Sequence, residues 1–301
     1  MRRWHANVRE VGSVDSETTV VLAHGYGANQ ALWDKLVPDL SRRHKVVLFD
    51  WDFTAGGDEE AAAAEEEGRY TFGRFADDLI AVMEERGVRG AVVVGHSMSA
   101  MAACIASVRR PDLVAHLVLL CASPRYINSE EEGYLGGFDK AGIDAMLHAM
   151  SSDFGAWAKG FVTNAVGDPE SAPLLEESFL AMHPGVALEL AKMIFLGDQR
   201  EVLDGVTAPC TIAQVKNDFA APPAVGEYMQ RRMKGAAANV EIIDAVGHFP
   251  QLAAPQQLLD ILDGVLRRGD DVEHGVEEKE GEGTEEQAAD VEVDGGIDVT
   301  T

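Results

Sequence analysis

The sequence predicts an α/β fold with a mostly parallel sheet, on the basis of two observations. Apolar runs typical of buried strands alternate with segments of helical periodicity up to residue 127 and again from residue 204. Between them, residues 128–203 show no strand pattern and carry aromatic and methionine side chains every three to four positions. We therefore expect a core of residues 1–127 and 204–268, with residues 128–203 inserted as a helical lid after the sixth strand.

Each predicted strand is an apolar run bounded by glycine, polar or charged residues. Val20–Ala23 and Val92–Val94 are apolar throughout, which is typical of parallel strands buried on both faces. Helical spacing covers residues 30–40 and the segment from Thr71, a predicted N-cap, to Arg86. Ligands bind beyond the carboxyl ends of parallel strands, so we expect the site there. The strand patterns lie at Asn7–Val11, Val20–Ala23, Lys45–Phe49, Val92–Val94, Leu113–Cys121, Val206–Val215 and Val240–Ile243.

The net charge of −26 is concentrated in two segments. Residues 269–301 hold 13 acidic residues against Lys279, a net charge of −12, and few apolar ones, so we expect a disordered acidic tail. Residues 58–67 form a second acidic insert of low complexity. A chain with so few cations is a poor partner for nucleic acid or an anionic membrane, and no run of 18 apolar residues indicates a membrane span.

The three cysteines indicate a reducing compartment. Cys104, Cys121 and Cys210 are unclustered and lie in apolar patterns, which favours buried thiols over disulfides. We expect a cytoplasmic protein, with a nuclear location left open, and a monomer.

The stretch Val92-Val93-Val94-Gly95-His96-Ser97-Met98-Ser99-Ala100 predicts the nucleophile elbow of an α/β-hydrolase fold. A strand runs into a tight turn that presents Ser97, and a helix of small residues follows at once. The turn is strained, so its flanks must be small: Gly95 stands two residues before the serine and Ser99 two after it. Glycine is usual at the second flank. An ordinary strand-to-helix turn with an incidental serine is the alternative at this point.

A serine hydroxyl needs a base within hydrogen-bond reach, and that base needs an orienting acid. In this fold the chain order is serine, then acid, then histidine. Asp218 directly follows a late strand pattern, and after it only His248 and His274 remain, the second within the acidic tail. We therefore predict Ser97 as nucleophile, His248 as general base and Asp218 as its orienting acid. Asp244 is the alternative acid.

The negative oxygen of the reaction intermediate needs two backbone donors. We predict the N–H of Met98, at the start of the helix after Ser97, and the N–H of Tyr26, in the loop after the second strand. His96 either floors the pocket or packs beneath it, and the lid aromatics either line a cavity or pack helix on helix. No metal spacing or glycine-rich phosphate loop occurs, so we expect neither a metal nor a cofactor. The candidate pocket residues are His96, Trp157, Phe161, Phe195 and Phe219.

Four motifs resemble one family of plant proteins. Gly95–Ala100, Ala122–Asn128, Gly136–Phe138 and Gly247–Gln251 resemble the strigolactone- and karrikin-receptor α/β-hydrolases, of which the bacterial stress-signalling hydrolase RsbQ is a relative. The resemblance covers roughly Asn7 to Arg268. Met98 and the continuation Asn128-Ser129-Glu130 are most similar to a third branch of receptor-like paralogues.

The resemblance implies more than the residues do by themselves. It implies a V-shaped lid of four helices over an apolar pocket, the triad and oxyanion amides given above, and pocket roles for Trp157 and Phe161. It also implies slow hydrolysis of a small apolar lactone or ester of the butenolide type, and signalling through an F-box protein of a ubiquitin ligase and a repressor. An ordinary carboxylesterase without a signalling partner, and a binding module with a vestigial triad, are the alternatives.

Overall fold

A single seven-stranded sheet organises the computed structural model, which describes residues 5–13, 16, 18–53 and 70–280. The strand order is β1-β3-β2-β4-β5-β6-β7; β1 is antiparallel to β3 and every other pair is parallel. The acidic insert expected at residues 58–67 lies outside the described residues. The strands are β1 His5–Val11, β2 Thr19–Ala23, β3 Lys45–Trp51, β4 Ala91–His96, β5 Val114–Leu120, β6 Cys210–Asn217 and β7 Ala238–Val246.

Helices connect the strands and form the lid. Four of them, α4 to α7, follow one another between β5 and β6 without an intervening strand. Short 3₁₀ helices cover Gln30–Trp33, Pro111–Leu113 and Arg200–Gly205. The α-helices are α1 Val37–Leu40, α2 Phe72–Glu85, α3 Met98–Arg109, α4 Lys140–Ser152, α5 Phe154–Ala165, α6 Ala172–Leu180, α7 Pro184–Leu196, α8 Pro223–Arg232, α9 Pro250–Ala253 and α10 Pro255–Glu280.

The sheet has a hydrophobic core on each face, because successive side chains of a strand point to opposite sides. In β2, Val21 and Ala23 belong to one core, with residues of α2, α3 and the lid. Val20 and Leu22 belong to the other, with residues of α1 and α10. All four side chains are fully buried, which explains why the strand is apolar throughout.

Three predicted features of the fold need correction. The lid follows the fifth strand and not the sixth, because only five strands, β1 to β5, precede it among the described residues. The helix predicted over residues 30–40 is two short pieces. Pro38 lies in the first turn of α1, where its missing N–H costs nothing, whereas in the middle of a longer helix it would remove a hydrogen bond. The last helix continues past Arg268 to Glu280, so residues 269–280, expected to be disordered, are helical.

The chain divides into two compact units, residues 1–266 and residues 267–301. The first contains the sheet and the lid, and in the second the described part is the end of α10, with residues 281–301 outside the described residues. Across the described chain no single helix is long and apolar enough to cross a membrane; α6 and α7 meet such a criterion only together, across a bend of 108°.

Candidate active site

Ser97 occupies the sharp turn between β4 and α3. Its backbone has φ 55° and ψ −116°, a conformation that side-chain-bearing residues rarely adopt and that costs on the order of 1–3 kcal/mol. A Cβ on Gly95 would lie 2.7 Å from the Ser99 carbonyl oxygen and 2.8 Å from Ala100 Cα. Glycine is therefore required at the first flank, as the elbow motif predicts.

The serine at the second flank has its own hydrogen bonds. The Ser99 hydroxyl donates to the His24 carbonyl, and Trp51 Nε1–H lies 2.9 Å from both of these oxygens. All three residues are buried, so these bonds satisfy polar groups that water does not reach. The departure from glycine thus links the elbow to the ends of β2 and β3.

The three residues predicted as a triad meet at the carboxyl edge of the sheet. Ser97 Oγ lies 2.8 Å from His248 Nε2, and His248 Nδ1 lies 2.7 Å from Asp218 Oδ2. The second oxygen of Asp218 accepts the Ala220 N–H at 2.8 Å. Each of the three residues is 5–7% exposed. This is the geometry in which a base removes the serine proton while the acid fixes the tautomer of the imidazole.

The alternative assignment of Asp244 as the orienting acid is wrong. It is exposed on β7, and its carboxylate pairs with Lys216 at 3.0 Å. The structure therefore leaves Asp218 as the acid that contacts His248.

The backbone of the loop after β2 lies directly against the nucleophile. A Cβ on Gly25 would be 3.1 Å from Ser97 Cβ, so only a residue without a side chain allows this approach. The next residue, Tyr26, sends its side chain away to the lid, where its hydroxyl donates to the Ala187 carbonyl at 2.9 Å. Met98 is the first residue of α3, so its amide lies at the N-terminus of that helix. The oxyanion role of the Tyr26 and Met98 amides stays a prediction.

Two buried histidines beside the site are neutral. His24 Nε2 accepts the Trp51 N–H at 3.0 Å while its Nδ1–H donates to the Gly25 carbonyl, and burial lowers the pKa of His24 to about 4. His96 Nε2–H donates to the His248 carbonyl at 2.8 Å, and burial holds the pKa of His96 well below its usual value. His96 is thus both a wall of the site and a support beneath His248.

A narrow cavity of about 20 Å³ adjoins Ser97, room for about one water molecule. Three of the five predicted pocket residues line it: His96, Phe161 and Phe195. Trp157 and Phe219 are outside the lining. Trp157 stacks on Phe161 with ring centroids 5.0 Å apart, and Phe219 is 38% exposed with its ring 6.2 Å from that of His248. The full lining is Tyr26, His96, Ser97, Tyr126, Phe161, Ile194, Phe195, Ala220, His248 and Phe249.

The sequence analysis does not predict Tyr126 as a site residue, although it lies in the motif Ala122–Asn128. The Tyr126 hydroxyl lies 3.4 Å from Ser97 Oγ, and its ring packs 4.9 Å from that of Phe195 in the lid. Burial raises the pKa of Tyr126, so the hydroxyl keeps its proton. Its position in the chain indicates this role, because Tyr126 follows β5, whose carboxyl end lies at the same edge of the sheet as the elbow.

One group of metal-ligating side chains was not predicted from spacing. The ligand atoms of Cys121, Asp218 and His248 all lie within 4.8 Å of one another. Burial and the neighbouring Asp218 carboxylate hold the pKa of the Cys121 thiol well above its usual value, whereas metal binding needs a thiolate. The Asp218–His248 hydrogen bond also occupies two of the three ligands. These residues therefore fit the triad better than a metal.

Comparisons with known proteins identify the family of this chain. Residues 20–261 match the model of the alpha/beta hydrolase family. The chain is 40% identical over 259 residues to Karrikin insensitive 2 receptor CA of Petunia hybrida, covering 85% of this chain and 93% of the relative. It is 35% identical to Strigolactone esterase D14 of Arabidopsis thaliana, covering 87% of this chain and 96% of the relative.

Solved structures share the fold. A hydrolase from Oleispira antarctica superimposes with a TM-score of 0.78 at 26% identity, covering 86% of this chain and 94% of that one. An enol-lactonase from Burkholderia xenovorans superimposes with a TM-score of 0.71 at 17% identity, covering 87% of this chain and 96% of that one. At this identity the likeness shows the fold alone. The chain therefore belongs to the alpha/beta hydrolase family, in the group that contains the karrikin-insensitive receptors and the strigolactone esterases.

Proposed function

We propose that this protein is a serine hydrolase that opens a small lactone or ester of the butenolide type and acts as a receptor for that molecule. The observation that carries the proposal is the buried hydrogen-bonded series from Ser97 through His248 to Asp218. A hydroxyl in this arrangement can lose its proton as it attacks a carbonyl, which an isolated serine does not do at neutral pH.

The first half of the reaction acylates the serine. Ser97 Oγ attacks the substrate carbonyl carbon as His248 Nε2 takes its proton, and the amides of Tyr26 and Met98 stabilise the negative oxygen. The carbon–oxygen bond of the ester then breaks, and His248 returns the proton to the departing oxygen. In a lactone that oxygen stays attached to the acyl group, so ring opening is complete at this step. Asp218 stabilises the imidazolium throughout and remains ionised.

The second half regenerates the enzyme. The oxygen of a water molecule attacks the acyl carbon as His248 Nε2 takes one of its protons. The bond from that carbon to Ser97 Oγ then breaks, His248 returns the proton to Oγ, and the acyl group leaves as a carboxylic acid. The cavity beside Ser97 has room for about one water molecule, which supports this step.

The substrate class rests on the relatives and the lining. The relatives are named for karrikin and strigolactone, and the cavity is walled by the apolar side chains of Phe161, Ile194 and Phe195. We propose a compact apolar ligand. The cavity has room for about one water molecule, so even a small ring enters only if the side chains of Phe161, Ile194 and Phe195 move, and a larger ligand needs a larger movement.

The receptor role implies slow turnover and protein partners. An ordinary esterase turns over at about 1–1000 per second, and a receptor that must stay occupied should be far slower. From the family resemblance of its motifs, we propose that the ligand-bound chain docks an F-box protein of a ubiquitin ligase and a repressor.

The test is Ser97→Ala with p-nitrophenyl acetate and a panel of butenolides. Activity should fall by at least ~1000-fold, as it does when other triads lose a member. Intact-mass analysis of the wild type should find the acyl group on Ser97. Unchanged activity in the variant would remove this residue from the reaction.

The receptor part has its own readout. A butenolide at saturating concentration should shift the melting temperature of the wild type and support capture of the F-box protein. If no butenolide does either, and turnover falls in the ordinary range, the chain is a plain carboxylesterase.

A further inference from the structure

The backbone of His248 is held from two sides. Its carbonyl accepts His96 Nε2–H from the core at 2.8 Å. Its N–H donates to the carbonyl of Ala165 at 2.6 Å, and Ala165 is the last residue of the lid helix α5. The residue that contacts both Ser97 and Asp218 is therefore bonded directly to the lid.

The segment that follows α5, residues 165–171, is here called the α5–α6 turn. A Cβ on Gly167 would lie 1.8 Å from the Val246 carbonyl oxygen, and one on Gly247 would lie 2.5 Å from the Ala165 carbonyl oxygen. Both glycines have positive φ, 68° and 99°. The two backbones touch in a way that side-chain-bearing residues would prevent.

Lys35 ties the same turn to the chain just after His248. Its ammonium donates to the Leu252 carbonyl at 2.8 Å and to the Ser171 hydroxyl at 3.3 Å, and it lies 3.5 Å from the Asp168 carboxylate. Ser171 in turn donates to Asp168 at 2.6 Å. Leu252 belongs to α9, which begins two residues after His248. The turn thus touches the chain on both sides of the imidazole.

We propose that the α5–α6 turn is a positioning element that sets the place of His248, so that hydrolysis depends on the lid being docked at this point. The proposal rests on the proposed function of His248 as the base. The imidazole must reach Ser97 and Asp218 at once, and a displacement of about 1 Å at a reacting group can cost ~100-fold in rate. Losing the Ala165 bond removes the only lid contact to the His248 amide among the described hydrogen bonds.

The test compares two glycines of the lid. Gly167→Ala places a methyl group against the Val246 carbonyl and forces the turn away from His248. Gly160→Ala is the matched control, because a Cβ there meets no atom of the described residues within 4 Å. With p-nitrophenyl acetate, kcat of Gly167→Ala should fall at least ~10-fold with KM within about twofold. Gly160→Ala should keep both values within twofold.

A second pair of variants keeps the test valid if Gly167→Ala does not fold. Lys35→Met removes the bonds to Leu252 and Ser171 but adds no bulk to the turn. Lys192→Met is its control, since Lys192 pairs only with Glu189 on the same lid helix, among the described ion pairs. The rate at which a fluorophosphonate labels Ser97, per molecule folded by near-ultraviolet circular dichroism, should fall at least threefold in Lys35→Met alone.

The outcomes separate this proposal from the one on which it rests. Suppose that Ser97→Ala abolishes activity while Gly167→Ala and Lys35→Met match their controls in kcat and labelling rate. The turn then does not position His248. If Ser97→Ala retains activity, the proposed function itself is wrong. A fall in melting temperature without a fall in labelling rate per folded molecule also overturns the positioning role.

Discussion

His248 Nδ1 and Asp218 Oδ2 lie 2.7 Å apart because the strands that precede them are neighbours in the sheet. Asn217, at the end of β6, is paired with Val246, at the end of β7, after a one-residue shift in the register of the two strands. Asp218 follows the first directly and His248 follows the second after Gly247. Two residues separated by 30 positions in the chain therefore meet at one edge of the sheet.

Asp218→Asn should lower kcat for an activated ester by about 10³–10⁴-fold, because an amide cannot stabilise the imidazolium and favours the wrong tautomer. Asp244→Asn is the matched control and should leave kcat within twofold, since that carboxylate is exposed and pairs with Lys216. Steady-state kinetics at neutral pH measures both. Equal losses in the two variants would contradict the assignment of the acid.

Ser99→Ala should destabilise the fold by about 1 kcal/mol. The variant loses the hydrogen bond to the His24 carbonyl and removes one of two acceptors near Trp51 Nε1–H. Urea unfolding followed by tryptophan fluorescence gives the free energy. Ser107→Ala, which among the described hydrogen bonds loses one to the Cys104 carbonyl within α3, should cost less. A larger loss in Ser107→Ala would mean that the hydroxyl at the elbow is not what stabilises the turn.

Tyr126→Phe should lower kcat by about 3- to 10-fold and leave the melting temperature nearly unchanged. The hydroxyl contacts Ser97 Oγ at 3.4 Å, near the long limit of a hydrogen bond, whereas the ring contacts with Phe195 and Phe138 are kept. Kinetics and a thermal melt on the same sample separate the two effects. A large drop in melting temperature with kcat unchanged would assign this residue to packing alone.

Stability should fall on acidification between about pH 6.5 and pH 4. Burial lowers the pKa of His24 to about 4, so in this range the unfolded chain binds a proton that the folded chain excludes. The stability is therefore complete above pH 6.5 and is lost as the pH falls, by about 3 kcal/mol for this group. Burial of His96 acts in the same direction.

Urea unfolding at several pH values measures this loss, and NMR of the imidazole protons assigns it to a residue. A His24 signal that titrates near pH 6.5 in the folded protein would contradict the prediction, whatever the slope of the unfolding curve.

The sequence by itself determined the elbow, the serine and histidine of the triad, and the seven strands. These follow from local rules: a strained turn requires Gly95, buried parallel strands must be apolar, and the order of the fold leaves His248 as the base. Local patterns also predicted the Thr71 cap, whose side chain accepts the Arg74 N–H. The choice between Asp218 and Asp244 needed the structure, in which the carboxylate of Asp218 contacts His248 and that of Asp244 pairs with Lys216.

Only the tertiary structure decided which side chains reach the cavity and what holds His248 in place. Trp157 and Phe161 have the same aromatic character and lie four residues apart on one helix, yet only Phe161 lines the cavity. The contact between Gly167 and Val246 joins two segments about 80 positions apart, and nothing in either one signals the other. Such choices depend on how the helices of the lid pack on the sheet, and packing is set by the summed shapes of many side chains, which no local pattern contains.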